Sequence, residues 1–157
     1  MKKNFSKIPI KKISFIEPGA PGLHIFSKYP IPRLGAVLLS TILRKQGYDV
    51  KVFIEDIAEP EWSFIKNSDI VCISTITSTA AKAYFLGKRL RSRNIPVIMG
   101  GAHATFMPDE ALKYADFVIR GEGEHALGEL LAYLENGSPP LETIRGLSYR
   151  SHPEGHD

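Results

Sequence analysis

Four stretches of the chain concentrate residues able to hold a ligand: Glu17-Pro18-Gly19-Ala20-Pro21-Gly22, Ser74-Thr75-Ile76-Thr77-Ser78-Thr79, Gly100-Gly101-Ala102-His103-Ala104-Thr105 and Gly121-Glu122-Gly123-Glu124-His125. Serine and threonine hydroxyls donate and accept hydrogen bonds without carrying charge. A glycine pair lets a bulky ligand approach the backbone, because no Cβ stands in the way. Nothing here points to bond-breaking chemistry: the hydroxyls lack a paired base, and no acid–base couple is identifiable from spacing. What these residues suit is recognition.

Each stretch has a plainer reading beside that one. Serine and threonine cap helices, but capping needs one such residue, and 74–79 holds five hydroxyls in six positions. Gly100-Gly101 would serve as an ordinary strand-to-helix turn, and a lone His103 as a surface histidine; side by side, they become candidates for ligand contact. Gly121-Glu122-Gly123-Glu124-His125-Ala126 formally matches the dinucleotide fingerprint G-x-G-x-x-G/A. Two carboxylates in that loop oppose a bound anion, and the motif follows the fifth strand of the pattern rather than the first. The carboxylates suit a neutral ligand, or a partner domain, that donates hydrogen bonds to them.

The elements that must carry these stretches alternate along the chain. Ile13-Ser14-Phe15-Ile16, Val50–Ile54, Asp69–Ser74, Pro96–Met99 and Phe117-Val118-Ile119 read as strands. Between them, helical patterns start near Pro32, with Leu34, Val37, Leu38 and Ile42 recurring at helical spacing. Further helices are predicted over 58–67, 78–92 and 108–115, and a last one carries Leu127, Leu130, Leu131 and Leu134 on one face. The unbroken apolar third strand suits a central parallel strand covered on both faces. Alternation of this kind predicts an α/β, doubly wound parallel sheet of flavodoxin-like order 2-1-3-4-5, with Gly146–Arg150 as a possible extra edge strand. Such sheets bind ligands beyond the carboxyl ends of their strands, where all four stretches fall.

Composition narrows the field further. At 157 residues, one domain is expected, here residues 1–150, followed by a polar tail over 151–157 at a domain boundary. The net charge of +3 is scattered, apart from Lys2, Lys3, Lys7, Lys11 and Lys12. No aromatic stacking platform accompanies it, so no nucleic-acid partner is expected. The single cysteine, Cys72, excludes a disulfide framework and a cysteine-ligated iron–sulfur cluster within this chain. No apolar run approaches the ~18 residues of a membrane span, and no signal-peptide core is evident. The expectation is a cytoplasmic protein without a membrane partner. A phospho-acceptor receiver would need aspartate ending the third strand and lysine ending the fifth, where Ser74 and Arg120 stand. A flavodoxin would need hydroxyls after the first strand, where none occurs before Ser27.

In order and spacing, Pro32-Arg33-Leu34-Gly35, Asp69-Ile70-Val71, Gly100–Thr105, Pro108-Asp109-Glu110-Ala111-Leu112, Gly121–Glu124 and Gly146–Arg150 resemble the cobalamin (B12)-binding domains that precede radical-SAM domains. The resemblance covers almost the whole chain. It implies that Ser74 and Thr75, matching the family's Ser-x-Leu as Ser74-Thr75-Ile76, contact a buried dimethylbenzimidazole tail. Gly100-Gly101 would make room for that nucleotide, entering between the 74–79 and 100–105 loops. Carried over residue by residue, the implied cofactor contacts are Ser74, Thr75, Ile76, Thr77, Gly100, Gly101, Ala102, His103, Gly121, Glu122, Gly123 and Glu124. A leucine at Gly101 is expected to block the tail while the protein stays folded.

The family's Asp-x-His-x-x-Gly motif, which supplies a histidine to cobalt, appears here as Glu17-Pro18-Gly19-Ala20-Pro21-Gly22. With glycine in the histidine's place, the resemblance implies cobalamin bound without its own base or a protein histidine on cobalt, and no metal ligand in the chain. His24 and His103 are the rim histidines that would overturn this. Relatives of this kind carry a [4Fe–4S] cluster and S-adenosylmethionine in a radical-SAM domain, which is expected downstream. This chain would then present cobalamin to that domain of the same polypeptide for methyl transfer or related radical chemistry, as the N-terminal part of a methyltransferase-like enzyme not catalytic alone. Two rival readings remain: a degenerate fold serving as a structural or docking module, and a nucleotide- or small-molecule-binding domain.

Overall fold

The apolar strand runs assemble into one six-stranded sheet in the order β2-β1-β3-β4-β5-β6. The strands are β1 (Lys12–Glu17), β2 (Asp49–Ile54), β3 (Ile70–Ser74), β4 (Val97–Gly100), β5 (Phe117–Ile119) and β6 (Leu147–Tyr149). This computed structural model describes residues 8–20 and 33–150. Lys2, Lys3, Lys7, His24, the expected helix start at Pro32, most of the Pro/Gly-rich loop and the polar tail 151–157 lie outside the described residues. The first five strands pair in parallel, and β6 runs antiparallel to β5. Both the expected core order and the expected edge strand are present.

Two aspartates fix how the strands start. Asp69, just before β3, accepts the backbone N–H groups of Lys11 and Lys12 through Oδ2 at 2.9 and 2.8 Å. Asp116, just before β5, accepts the Val97 N–H at 2.9 Å and pairs with Arg91 at 3.0 Å. Each satisfies donors at a strand's first residues, where the ladder has no partner for them, and so holds the register at the amino-terminal edge of the sheet.

Side chains alternate across the sheet, because successive Cβ atoms on a strand point to opposite faces. Ile13, Phe15, Ile70, Cys72, Ile98, Phe117 and Ile119 pack against α1 (Leu34–Lys45) and α6 (Glu124–Asn136). Ile16, Val71, Ile73, Val97, Met99 and Val118 pack on the opposite face, against α2 (Trp62–Lys66), α3 (Ala80–Arg91), α4 (Ala102–Phe106) and α5 (Pro108–Ala111).

Two sequence expectations differ from this arrangement. Leu34, Val37 and Leu38 point outward, with Leu34 76% exposed. The face of α1 turned to the sheet is instead Ala36, Ser40 and Leu43, whose mostly small side chains bring the helix backbone close. Helix α4 was not expected. It spans one turn directly after Gly100-Gly101, too short for an apolar stripe to register, and the helix predicted over 108–115 shortens to α5.

Candidate functional site

A cavity of about 140 Å³ opens at the carboxyl ends of the strands, between the sheet and the helices α1 and α6. The strand register places its walls. Phe15, Cys72 and Ile98 lie side by side across β1, β3 and β4 and form an apolar floor. One alternation further toward the strand ends, Ser74 lies beside Gly100 and forms the rim. Leu39 of α1 and Leu127 of α6 close the sides, and Ile119 ends β5 beside them. Two glycines leave room in the cavity walls, Gly35 on α1 and Gly100 on β4. A Cβ at Gly35 would meet nothing within 4 Å, and one at Gly100 would only touch Ile119 O at 3.5 Å.

Seven of the twelve residues expected at the site line this cavity: Ser74, Gly100, Gly101, Gly121, Glu122, Gly123 and Glu124. Thr75, Ile76, Thr77, Ala102 and His103 do not. Thr75 is fully buried, and its Oγ1 donates to Gly100 O at 3.0 Å while accepting the Ala104 N–H at 3.2 Å. Its backbone adds Thr75 N to Gly100 O at 2.8 Å and His103 N to Thr75 O at 3.2 Å. The loops after β3 and β4 are therefore zipped together. Thr79 is likewise turned inward, bonding the N–H and carbonyl of Ile76 at 3.2 Å.

Gly101 carries φ +91, a conformation that favours glycine. A Cβ there would fall 2.5 Å from Thr75 O and 2.8 Å from Thr75 N. The requirement for glycine comes from the protein's own backbone, and this corrects the expectation that a leucine at 101 would leave the fold intact. Gly100 is the position whose side chain would enter the cavity, because it alternates with Ile98 onto the α1/α6 face.

His103 faces the other way. Its Nε2 lies 2.9 Å from the Tyr84 hydroxyl and 3.8 Å from Glu110 Oε1, and its Nδ1 lies 3.3 Å from Thr77 Oγ1. Tyr84 stacks on Tyr114 with ring centroids 4.5 Å apart. Burial, and then the neighbouring Glu110 carboxylate, hold the Tyr84 phenol above its usual range.

Position 19, where the motif would place a cobalt ligand, is buried. The Gly19 N–H donates to Glu55 Oε2 at 2.9 Å, and an added Cβ would fall 2.5 Å from Asp56 Oδ1. Beside it, Glu17 accepts the N–H and Nε of Arg33 at 3.2 and 3.3 Å. Among the described residues, Glu17 Oε1 and Arg33 Nη1 have no hydrogen-bond partner.

The cavity is lined mainly by apolar side chains and glycines. Its size is near the ~150 Å³ of a dry apolar cavity that admits benzene. The Cys72 thiol on its floor is pushed up to about 12 by burial and stays protonated. A pyrophosphate fits poorly: the Gly121 N–H is already given to Thr105 Oγ1 at 3.0 Å, and Glu122 and Glu124 bring negative charge. Sequence reasoning found the rim but took the floor for ordinary core. The available signal was Gly35 among the apolar residues that open α1, together with small Cys72 and Gly100 on the strands. Among the described residues, no helix is long and apolar enough to cross a membrane, and no group of His, Cys, Asp and Glu has the makings of a metal site.

The chain is 35% identical over 134 residues to an uncharacterized methyltransferase of Pyrococcus horikoshii, spanning 77% of this chain and 28% of that protein. It is 32% identical over 91 residues to the bacteriochlorophyllide d C-8(2)-methyltransferase of Chlorobaculum tepidum, spanning 52% of this chain and 20% of that protein. The fold matches the solved structure of the cobalamin-dependent S-adenosylmethionine radical enzyme OxsB with aqua-cobalamin bound, with a TM-score of 0.67 and 21% identity over 89% of this chain and 21% of that one. Residues 24–131 match the model of the B12 binding domain. The chain belongs to the B12-binding domain family.

Proposed function

We propose that this chain binds cobalamin with the nucleotide tail in the cavity beneath Ser74 and Gly100, and presents the corrin to a radical-SAM domain of the same polypeptide. The observation that carries the reading is the cavity itself, apolar at its floor and open at the carboxyl ends of the central strands. Ser74 Oγ stands at the rim to hydrogen-bond the tail base, and Gly100 leaves the space the base fills. Gly121, Gly123 and the carboxylates of Glu122 and Glu124 would receive the ribose and other hydrogen-bond donors at the mouth. Glu17 Oε1 and Arg33 Nη1, without a hydrogen-bond partner among the described residues, offer an acceptor and a donor to the neutral carboxamides of the corrin edge. When bound, cobalamin supplies cobalt for methyl transfer or related radical chemistry. Phe106, 81% exposed at the end of α4, and half-exposed Met107 leave apolar surface close to the rim, which supports its being covered by another domain. The methyltransferase names of the relatives support the class of reaction.

A visible-absorbance titration with hydroxocobalamin or methylcobalamin tests the reading. Saturable binding with base-off spectra is expected, and absence of binding would overturn it. Paramagnetic resonance of the cob(II) form is expected to show no nitrogen hyperfine splitting from the protein. A splitting that disappears in His24→Ala or His103→Ala would refute the ligand-free lower face.

A further inference from the structure

We infer that the cavity discriminates among corrinoids by their lower base, accepting a benzimidazole and disfavouring a purine. This rests on the cobalamin reading above and adds a specificity to it. The floor row, Phe15, Cys72 and Ile98, is apolar, and Ser74 in the rim row is the one hydroxyl among the described residues that line the cavity. A tail base must enter with the edge farthest from its ribose leading, because ribose and phosphate remain outside with the corrin. The leading edge of dimethylbenzimidazole is hydrocarbon. In adenine the same edge bears an exocyclic amine and ring nitrogens, each needing a partner once removed from water.

The floor does not supply those partners. The Cys72 thiol is a weak hydrogen-bonding group. Backbone groups near the rim are already committed: Gly100 O to the N–H and Oγ1 of Thr75, Gly101 O to Thr105 N, and Gly123 O to Leu127 N. Glu122 and Glu124 line the cavity from the segment after β5, not from the floor strands β1, β3 and β4.

The test is a set of binding titrations on the parent chain with three ligands: cobalamin, its analogue carrying adenine as lower base, and cobinamide, which lacks base and ribose. Cobalamin is expected to bind tightest, with the adenine analogue weaker by about tenfold or more, the consequence of one unmade buried hydrogen bond. Cys72→Ser, which sets a hydroxyl in the floor, should narrow the gap. Equal affinity for the two complete corrinoids, or a preference for adenine, would overturn the inference while leaving cobalamin binding intact. Cobinamide binding as tightly as cobalamin would also overturn it, since the tail would then contribute nothing. Failure of all three to bind would remove the cobalamin reading and this inference with it.

Discussion

On the α1/α6 face of the sheet, the ends of β3 and β4 present Ser74 and Gly100 and leave a cavity. One residue further along, the Thr75 hydroxyl turns inward to Gly100 O and the Ala104 N–H, and a Cβ on Gly101 would run into the Thr75 backbone. The two regions use the same residue types, a hydroxyl and a glycine, in the same order. What separates them is the alternation of the strands: a hydroxyl turned into the fold is consumed as a lock, while its neighbour stays available at the rim. The His103–Tyr84–Glu110 cluster belongs to the locked side, with both ring nitrogens of His103 facing side-chain partners.

The strongest way to break this contrast is to place the same side chain at the two adjacent glycines. Gly101→Leu would set its Cβ against the Thr75 backbone at a positive φ. Overpacking of about 1–3 kcal/mol and backbone strain of about 1–3 kcal/mol should together unfold much of the protein, seen as a collapse of the urea midpoint. A Gly101→Leu protein that melts like the parent would dissolve the distinction between lock and cavity. Gly100→Leu, in contrast, should melt near the parent, since its Cβ meets only an ordinary contact, yet lose cobalamin affinity by about a hundredfold or more because the leucine occupies the cavity. Binding unchanged in that variant would place the tail elsewhere.

Thr75→Val sharpens the comparison at smaller scale. It keeps the shape and removes the hydroxyl that ties Gly100 O and Ala104 N, so the buried Ala104 N–H loses this acceptor while Gly100 O keeps the Thr75 N–H. A loss of about 1–3 kcal/mol in unfolding free energy is expected, with weaker cobalamin binding only as far as the turn loosens. A destabilisation below about 0.5 kcal/mol would mean that the backbone bonds alone hold the loops together.

The fold was legible because strand-length apolar runs, helical stripes and turn residues agree on one α/β pattern, and the Gly146–Arg150 strand could be placed even at an edge. The rim was legible through Ser74, Gly100-Gly101 and Gly121–Glu124, whose clustering after strands is unusual. The cavity floor was not, because Phe15, Cys72 and Ile98 are what any buried strand would contain; only register shows that they lie beneath an opening. Thr75 and His103 misdirected for a related reason. A hydroxyl or imidazole beside a glycine pair looks the same in sequence whether it faces a ligand or its own backbone, and the direction is set by α4, too short to leave a pattern.

Tyr84→Phe probes the locked side most gently. The substitution removes the hydroxyl 2.9 Å from His103 Nε2 and keeps the ring that stacks on Tyr114 at 4.5 Å. The packing should survive, so the expected loss is that of a single hydrogen bond, about 0.5–1.5 kcal/mol, with the cobalamin titration unchanged because Tyr84 lies across the sheet from the cavity. The pH dependence separates this hydroxyl from mere bulk. Burial, followed by the Glu110 carboxylate, raises the Tyr84 phenol above its ordinary 10.0. A folded-state value raised in this way gives stability that is complete below pH 10 and is lost as pH rises toward the folded value, because the unfolded chain ionises first. The phenylalanine variant lacks that contribution, while Cys72 and Tyr48, both also raised to about 12, are common to the two proteins and cancel in the difference. The gap in stability between parent and Tyr84→Phe should therefore be constant up to about pH 9 and shrink above pH 10. A gap that stays flat through pH 11 would mean that the phenol is not held protonated by its surroundings, and a changed cobalamin affinity would mean that the two sides of the rim are coupled after all.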